Sequence, residues 1–228
     1  MILLHRCTIH FLAICMFSIG AALHAAPICQ SDGNSINLTI LPPSGEQLQL
    51  KVGAAYFDQR AIPRDGSSRE GLLLKMQATD FSPWPRGLRP HSSEGPLLSY
   101  LLTPFIPFDA LADSKTRMNT GYSDAVAVIW TDDPGPFGLS MPTAPAPAHP
   151  EGGPFLGKDD IYISRDQAGL ITDIISCSRP GRTPFQHCEH FIEVGEIDIS
   201  IVYAPEFLPD WKRLSSGARD FLNCMVEG

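Results

Sequence analysis

Charge is scarce in this sequence. Asp, Glu, Lys and Arg make up 18% of the 228 residues, below the usual quarter, so long solvated helices with charged outer faces have little to be built from. Basic residues are scarcer still, 17 against 25 acidic ones, for a formal charge of −8. They are scattered, and the clustered positive surface that a phosphate backbone requires is missing, which excludes a protein built to hold nucleic acid. Beyond residue 25 no apolar run reaches the length needed to span a bilayer. Catalytic signatures are absent as well: there is no Gly-x-Ser-x-Gly elbow, no His-Glu-x-x-His pair and no Gly-rich phosphate loop.

Proline (21) and glycine (19) are plentiful by contrast, and they favour short strands joined by many turns. The 43% hydrophobic content suffices for one substantial core or two small ones. The expected fold class is α+β: antiparallel sheets with a C-terminal helix packed on one face, stabilised by disulfides.

The start of the chain reads as a secretory leader. Arg6 precedes an apolar run from Ile9 to Leu23 without an acidic residue, and the run ends in small residues, Gly20, Ala21, Ala22, Ala25 and Ala26. This pattern predicts a signal peptide over 1–25, cut near Ala25, and a periplasmic protein with no stable membrane insertion. Ile28 before Cys29 stands where a lipid-attachment motif needs a small residue. Removing 1–25 takes away Arg6 and no acid, leaving a formal charge of −9.

Four cysteines remain after that cut: Cys29, Cys177, Cys188 and Cys224. An even number in an oxidising compartment is expected to pair. Of the three pairings open to them, the favoured one joins Cys177 to Cys188 around a short turn-rich segment and Cys29 to Cys224 across the termini. The shorter loop contributes on the order of 3 kcal/mol in the chain-entropy account.

Alternating apolar residues mark strands. Ile36, Leu38 and Ile40, then Leu48, Leu50 and Val52, flank a Pro42-Pro43-Ser44-Gly45 turn. Leu72–Met76 and Leu97–Leu102 predict two further strands, and Ala125–Trp130 a short, more deeply buried one. Phe108–Arg117 is the one short helical segment expected before the C-terminus. The chain divides into a β-rich region over 26–133, a Pro- and Gly-rich stretch over 134–154, and a C-terminal region over 155–228. The middle stretch reads as an unpacked loop or linker with polyproline character. An insertion within one domain is the favoured reading, with Ala125–Trp130 and Ile161–Ser164 sharing a sheet.

The C-terminal region is the most regular. Ile161–Ser164, Leu170–Cys177, Cys188–Val194 and Ile197–Tyr203 predict an antiparallel meander. Ile197, Ile199, Ile201 and Tyr203 face inward there, and Asp198 and Ser200 face water. Pro209 then opens a helix whose stripe is Trp211, Leu214, Ala218, Phe221, Leu222 and Met225.

His187-Cys188-Glu189-His190 combines residue types that bind zinc. On a strand, however, His187 and Glu189 project to one face and Cys188 and His190 to the other. No metal, cofactor or catalytic residue is therefore assigned. His190 is expected to be buried on a backbone carbonyl and His187 to be exposed. His91 and His149 lie in Pro-rich loops. Loop aromatics beside prolines offer rigid contact anchors, and Trp84, Phe105, Phe108 and Phe137, with Phe81, are the candidate partner-contact residues.

From Cys177 through Cys188-Glu189-His190-Phe191, the alternating Ile197–Tyr203 and Leu208-Pro209-Asp210-Trp211-Lys212, the sequence resembles periplasmic immunity proteins that neutralise lipase-type effectors of type VI secretion. The resemblance is confined to this C-terminal part, and its markers are structural. It implies a non-enzymatic blocker of a toxin effector and carries over no functional residue. The leading expectation is thus a soluble periplasmic protein that binds another protein. A small-ligand or envelope-maintenance binding protein is the alternative, and a hydrolase using His187 or His190 comes third.

Overall fold

The computed structural model describes residues 29, 34–41, 45–58, 60–85, 97–104, 106–120, 127–131, 135–143, 157–195 and 197–227. Among them the chain runs β1 (Ser35–Ile40), β2 (Leu48–Gly53), β3 (Ser67–Arg69), β4 (Leu72–Gln77), β5 (Leu97–Pro104), α1 (Phe108–Thr120), β6 (Ile129–Trp130), β7 (Pro142–Thr143), β8 (Asp159–Arg165), β9 (Ile171–Ser178), β10 (Cys188–Val194), β11 (Ile197–Tyr203) and α2 (Trp211–Glu227). Three 3-10 turns, Ala54–Tyr56, Pro136–Gly138 and Pro205–Asp210, interrupt the connections.

The strands form a three-stranded sheet in the order β2-β1-β3, a six-stranded sheet in the order β4-β5-β11-β10-β9-β8, and a two-stranded ribbon of β6 and β7. Pairing is antiparallel throughout except for β3 on β1. The large sheet is made from both sides of the Pro-rich stretch, because β5 pairs with β11 in the register Leu102↔Ile199 and Tyr100↔Ile201.

One face of the large sheet carries Leu74, Met76, Leu98, Tyr100, Leu102, Ile199 and Ile201, all fully buried. The period-3.6 stripe of α2 lies in the same core, together with the buried side of the small sheet. Each such side chain contributes roughly 1.5–3 kcal/mol on leaving water. The Phe221 ring sits between Tyr56 and Tyr100 at centroid distances of 4.9 and 5.4 Å, edge to face. The Tyr100 hydroxyl donates to the Ala218 carbonyl at 3.0 Å, which satisfies the polar tip of an otherwise apolar contact. Cys29–Cys224 ties the N-terminal residue of this core to the last turns of α2, and Cys177–Cys188 staples β9 to β10.

The other face is covered by α1 over β8 and β9, where Phe108 and Ala112 meet Ile163, Ile171 and Ile174. Lys115 reaches Glu189 at 2.6 Å and lies over the Phe191 ring at 4.6 Å. Asn119 accepts the Asp159 backbone N–H at 3.0 Å and donates to the Asp159 carbonyl, fixing the end of the helix to β8.

Several expectations need correcting. Asp198 and Ser200 do not face water: they are 1% and 5% exposed, because the second face of the sheet is covered as well. The strand expected over Ala125–Trp130 shrinks to Ile129–Trp130, with Ile129 63% exposed. It pairs with Pro142–Thr143 and not in the sheet of Ile161–Ser164. Residues 125–126 lie outside the described residues. The described part of the Pro-rich stretch is packed: Leu139 is fully buried in the main core, and the Trp211 indole donates to the Phe137 carbonyl at 3.0 Å. Pro209 lies inside the 3-10 turn that leads into α2 and does not open the α-helix.

Candidate partner-binding surface

Of the chemistry-bearing residues named from the sequence, His190 lies inside the protein, in a cluster with residues that the sequence did not single out. β9 and β10 pair in the register Asp173↔Ile192 and Ile175↔His190, which places Asp173 and His190 on the same inner face. The His190 Nε2–H donates to Asp173 Oδ1 at 2.9 Å, and the Ser215 hydroxyl from α2 donates to the same oxygen at 2.5 Å. Thr172 donates to Oδ2 at 2.9 Å. The Tyr203 hydroxyl lies 3.3 Å from His190 Nδ1, and the Trp211 ring packs edge-on at 6.3 Å. Burial alone would raise the Asp173 pKa, yet the His190, Ser215 and Thr172 hydrogen bonds hold it below the ordinary carboxylate value. Burial, reinforced by the Asp173 charge, pushes the Tyr203 phenol up, so it stays protonated.

This is a buried polar knot. In an acyl-transfer triad the hydroxyl touches the imidazole and the imidazole touches the acid. Here hydroxyl and imidazole both converge on the carboxylate, and His190 is fully buried. The backbone carbonyl expected as the partner of His190 is thus replaced by Asp173 and Tyr203. His187 is exposed, its Nδ1 3.2 Å from the Phe185 carbonyl. Among the described residues no group of three or more His, Cys, Asp or Glu comes together as a metal site.

The four cysteines pair as Cys29–Cys224 and Cys177–Cys188. The aromatic anchors fare differently. Trp84 (9% exposed) and Phe108 (4%) are core residues, as is Phe81 (5%), so they cannot serve as surface contacts. Phe137 is 46% exposed and remains on the surface. Phe105, His91, His149 and the leader over 1–25 lie outside the described residues. Among those described, no helix is long and apolar enough to cross a membrane.

Two depressions lie among the described residues. A cleft of about 270 Å³ opens between β2, the β10–β11 turn and the end of α2, lined by Leu48, Val194, Ile197, Leu222 and Val226 among others. A larger groove of about 480 Å³ runs along the outer edge of β4, between that strand and residues 57–63. Its rim carries Arg60, Arg69 and Lys75 against the carboxylate of Asp58, with Ile62 and Leu73 exposed. Asp58 accepts the Arg60 backbone N–H and the Lys75 ammonium, each at 3.1 Å, and these bonds lower its pKa. Sequence reasoning missed this groove. Its basic residues, Arg60, Arg69 and Lys75, stand apart in the sequence with Asp65 and Glu70 between them, so no local pattern marks it.

No protein-family model and no curated protein matches the chain. Among solved structures it is similar to Smlt3025, an immunity protein of the Stenotrophomonas maltophilia type IV secretion system. That likeness has a TM-score of 0.57 at 18% identity and covers 83% of this chain and 93% of the other. The two chains share a fold. It is also similar to the iron-regulated outer membrane lipoprotein FrpD of Neisseria meningitidis, with a TM-score of 0.50 at 8% identity over 86% and 94% of the two chains. At these identities the likeness establishes the fold, and activity has to be argued from the residues. The type IV neighbour lends no support to the type VI lipase-effector specificity implied by the C-terminal resemblance.

Proposed function

We propose that this protein is an exported immunity protein, a non-enzymatic binder that holds a secreted antibacterial effector inactive in the periplasm. The observation that carries the reading is the fold shared with a secretion-system immunity protein over 83% of the chain. Two disulfides suit an oxidising compartment, and the imidazole of the His190 knot is sealed from any substrate. The class of effector divides two ways. The C-terminal resemblance favours a lipase-type effector of type VI secretion, and the solved neighbour a type IV effector.

The test is protection. The full chain is produced in a sensitive host together with periplasm-directed effectors from neighbouring genes, lipase-type ones included. The expected result is rescued growth and co-purification of one effector. Loss of protection against all of them overturns the reading, as does mature protein from the periplasm that retains residues 1–25 by mass spectrometry.

The likeness to FrpD favours a second reading, an envelope-maintenance or small-ligand binding protein. Lipid attachment at Cys29 is not part of it, because that sulfur is bonded to Cys224. A thermal shift with a metabolite or glycan panel separates the two readings, since a true ligand in excess stabilises by mass action.

A further inference from the structure

We propose that the outer edge of β4 is a docking strand on which an extended, acidic segment of the partner protein adds to the large sheet beside Leu73. This rests on the reading of the protein as an effector binder and names the face and the chemistry of contact.

β4 is an edge strand, paired on one side only, with β5. An open edge presents backbone donors and acceptors that template a further strand. Part of this edge is already closed. The Gln77 N–H donates to the Ser82 carbonyl at 2.9 Å, and the Lys75 carbonyl accepts the Trp84 N–H at 3.1 Å. Those bonds show that the odd-numbered residues of β4 turn their backbone groups away from β5. Leu73 has the same parity. The returning segment Ser82–Trp84 stops short of it, and among the described residues its outward N–H and carbonyl have no partner. The edge is therefore capped at one end and open at the other, where the groove lies.

Side chains complete the site. Leu73 is 55% exposed, and Leu101 stands opposite it on the same face, partly exposed. Ile62 is 47% exposed across the groove. The rim sets three cations, Arg60, Arg69 and Lys75, against one carboxylate that Lys75 already holds. Neither Arg60 nor Arg69 forms an ion pair with another described residue. In a chain of formal charge −8 this local positive rim selects an acidic occupant. It also disfavours a second copy of the chain, which would bring the same cations face to face.

The test uses a fluorescein-labelled peptide alternating Val and Thr with Glu, and a control with Lys in place of Glu, titrated against the full disulfide-bonded chain. Wild type is expected to bind the acidic peptide saturably, more weakly as salt is added, and to ignore the control. Leu73→Pro removes the outward N–H together with the exposed leucine side chain and leaves the β5 ladder, paired through Leu72 and Leu74, in place, since proline is tolerated on an edge. Both Leu73→Pro and the pair R60E/R69E should weaken binding about tenfold or more, with thermal unfolding close to wild type for the charge pair. Absence of saturable binding, equal binding of the lysine peptide, or unchanged binding by both variants overturns the proposal. Self-association in sedimentation that Leu73→Pro abolishes also overturns it, in favour of a second copy. If both variants still protect cells from an effector that wild type blocks, this inference falls and the immunity reading stands. If wild type blocks no effector while the peptide result holds, the immunity reading alone falls.

Discussion

A Cβ built on Gly217 of α2 would lie 2.5 Å from Cε2 of Phe81. Phe81 is 5% exposed and holds φ at +60°, a conformation that costs an L-residue roughly 1–2 kcal/mol. The glycine leaves the space that its ring fills. In an exposed helix, Gly→Ala is expected to stabilise by up to about 1 kcal/mol. Here Gly217→Ala is expected to destabilise by about 1–3 kcal/mol through overpacking, read from denaturant midpoints at constant slope. Adding Phe81→Ala should make the two effects non-additive, because the clash then has no partner. A stabilised Gly217→Ala variant would show that the ring moves aside freely.

The Asp173 knot predicts an ordered series. Asp173→Ala strands the donors of His190 and Ser215 in the core and frees that of half-buried Thr172, and should cost about 3–5 kcal/mol. Ser215→Ala removes one donor from a carboxylate that keeps two others, at a cost of about 1 kcal/mol. The pKa of Asp173 is depressed in the folded state. Its contribution is therefore present above the unfolded carboxylate value and is lost as pH falls through the lower folded value. Acid unfolding of wild type should carry that term, and the Asp173→Ala variant should lack it. Equal acid limbs in the two proteins would refute the assignment.

Why some of this was legible and some was not follows from the range of the interactions. α2 and the strands from β8 to β11 announce themselves through periods of 3.6 and 2, which depend on neighbours a few residues apart. A period of 2 separates the two faces of a strand but does not tell whether the second face is covered. Asp198 and Ser200 were misplaced for that reason. Trp84 looked like a loop aromatic because of its flanking prolines, yet its N–H bonds back to Lys75 of β4 and turns the ring inward. Asp173 and Ser215 stand 42 residues apart, so only the packed fold reveals their contact. The β4 groove is set by how the chain passes from β3 in one sheet to β4 in the other, and spacing does not encode that.

The two disulfides should differ in weight. Cys29–Cys224 closes a sequence separation of 195 and Cys177–Cys188 one of 11. In the chain-entropy model, constraint of the unfolded state grows with the logarithm of loop length, giving roughly 5 kcal/mol for the long loop and roughly 3 kcal/mol for the short one. Replacing both cysteines of the terminal pair by serine is therefore expected to lower the denaturant midpoint further than replacing both of the β9–β10 pair. Since the second pair staples strands that already share a ladder, the opposite order would place the benefit in native-state packing.

Asp198 makes stability fall as pH rises toward neutrality. Its Oδ2 accepts the Ile106 N–H at 2.7 Å, while Oδ1 has no partner among the described residues. Burial, with a smaller push from Glu193, raises its pKa from 3.8 to about 6. A carboxyl whose folded pKa is raised stabilises below its unfolded value, and that contribution disappears as pH climbs through the folded value. A displacement of about two units corresponds to roughly 3 kcal/mol. Asp198→Asn keeps the acceptor for Ile106 and removes the buried charge, so it should gain stability at pH 7.5 and little or none at pH 4. Urea midpoints of the two proteins across that range decide the matter, since a gain independent of pH would mean that the charge is not what burdens the site.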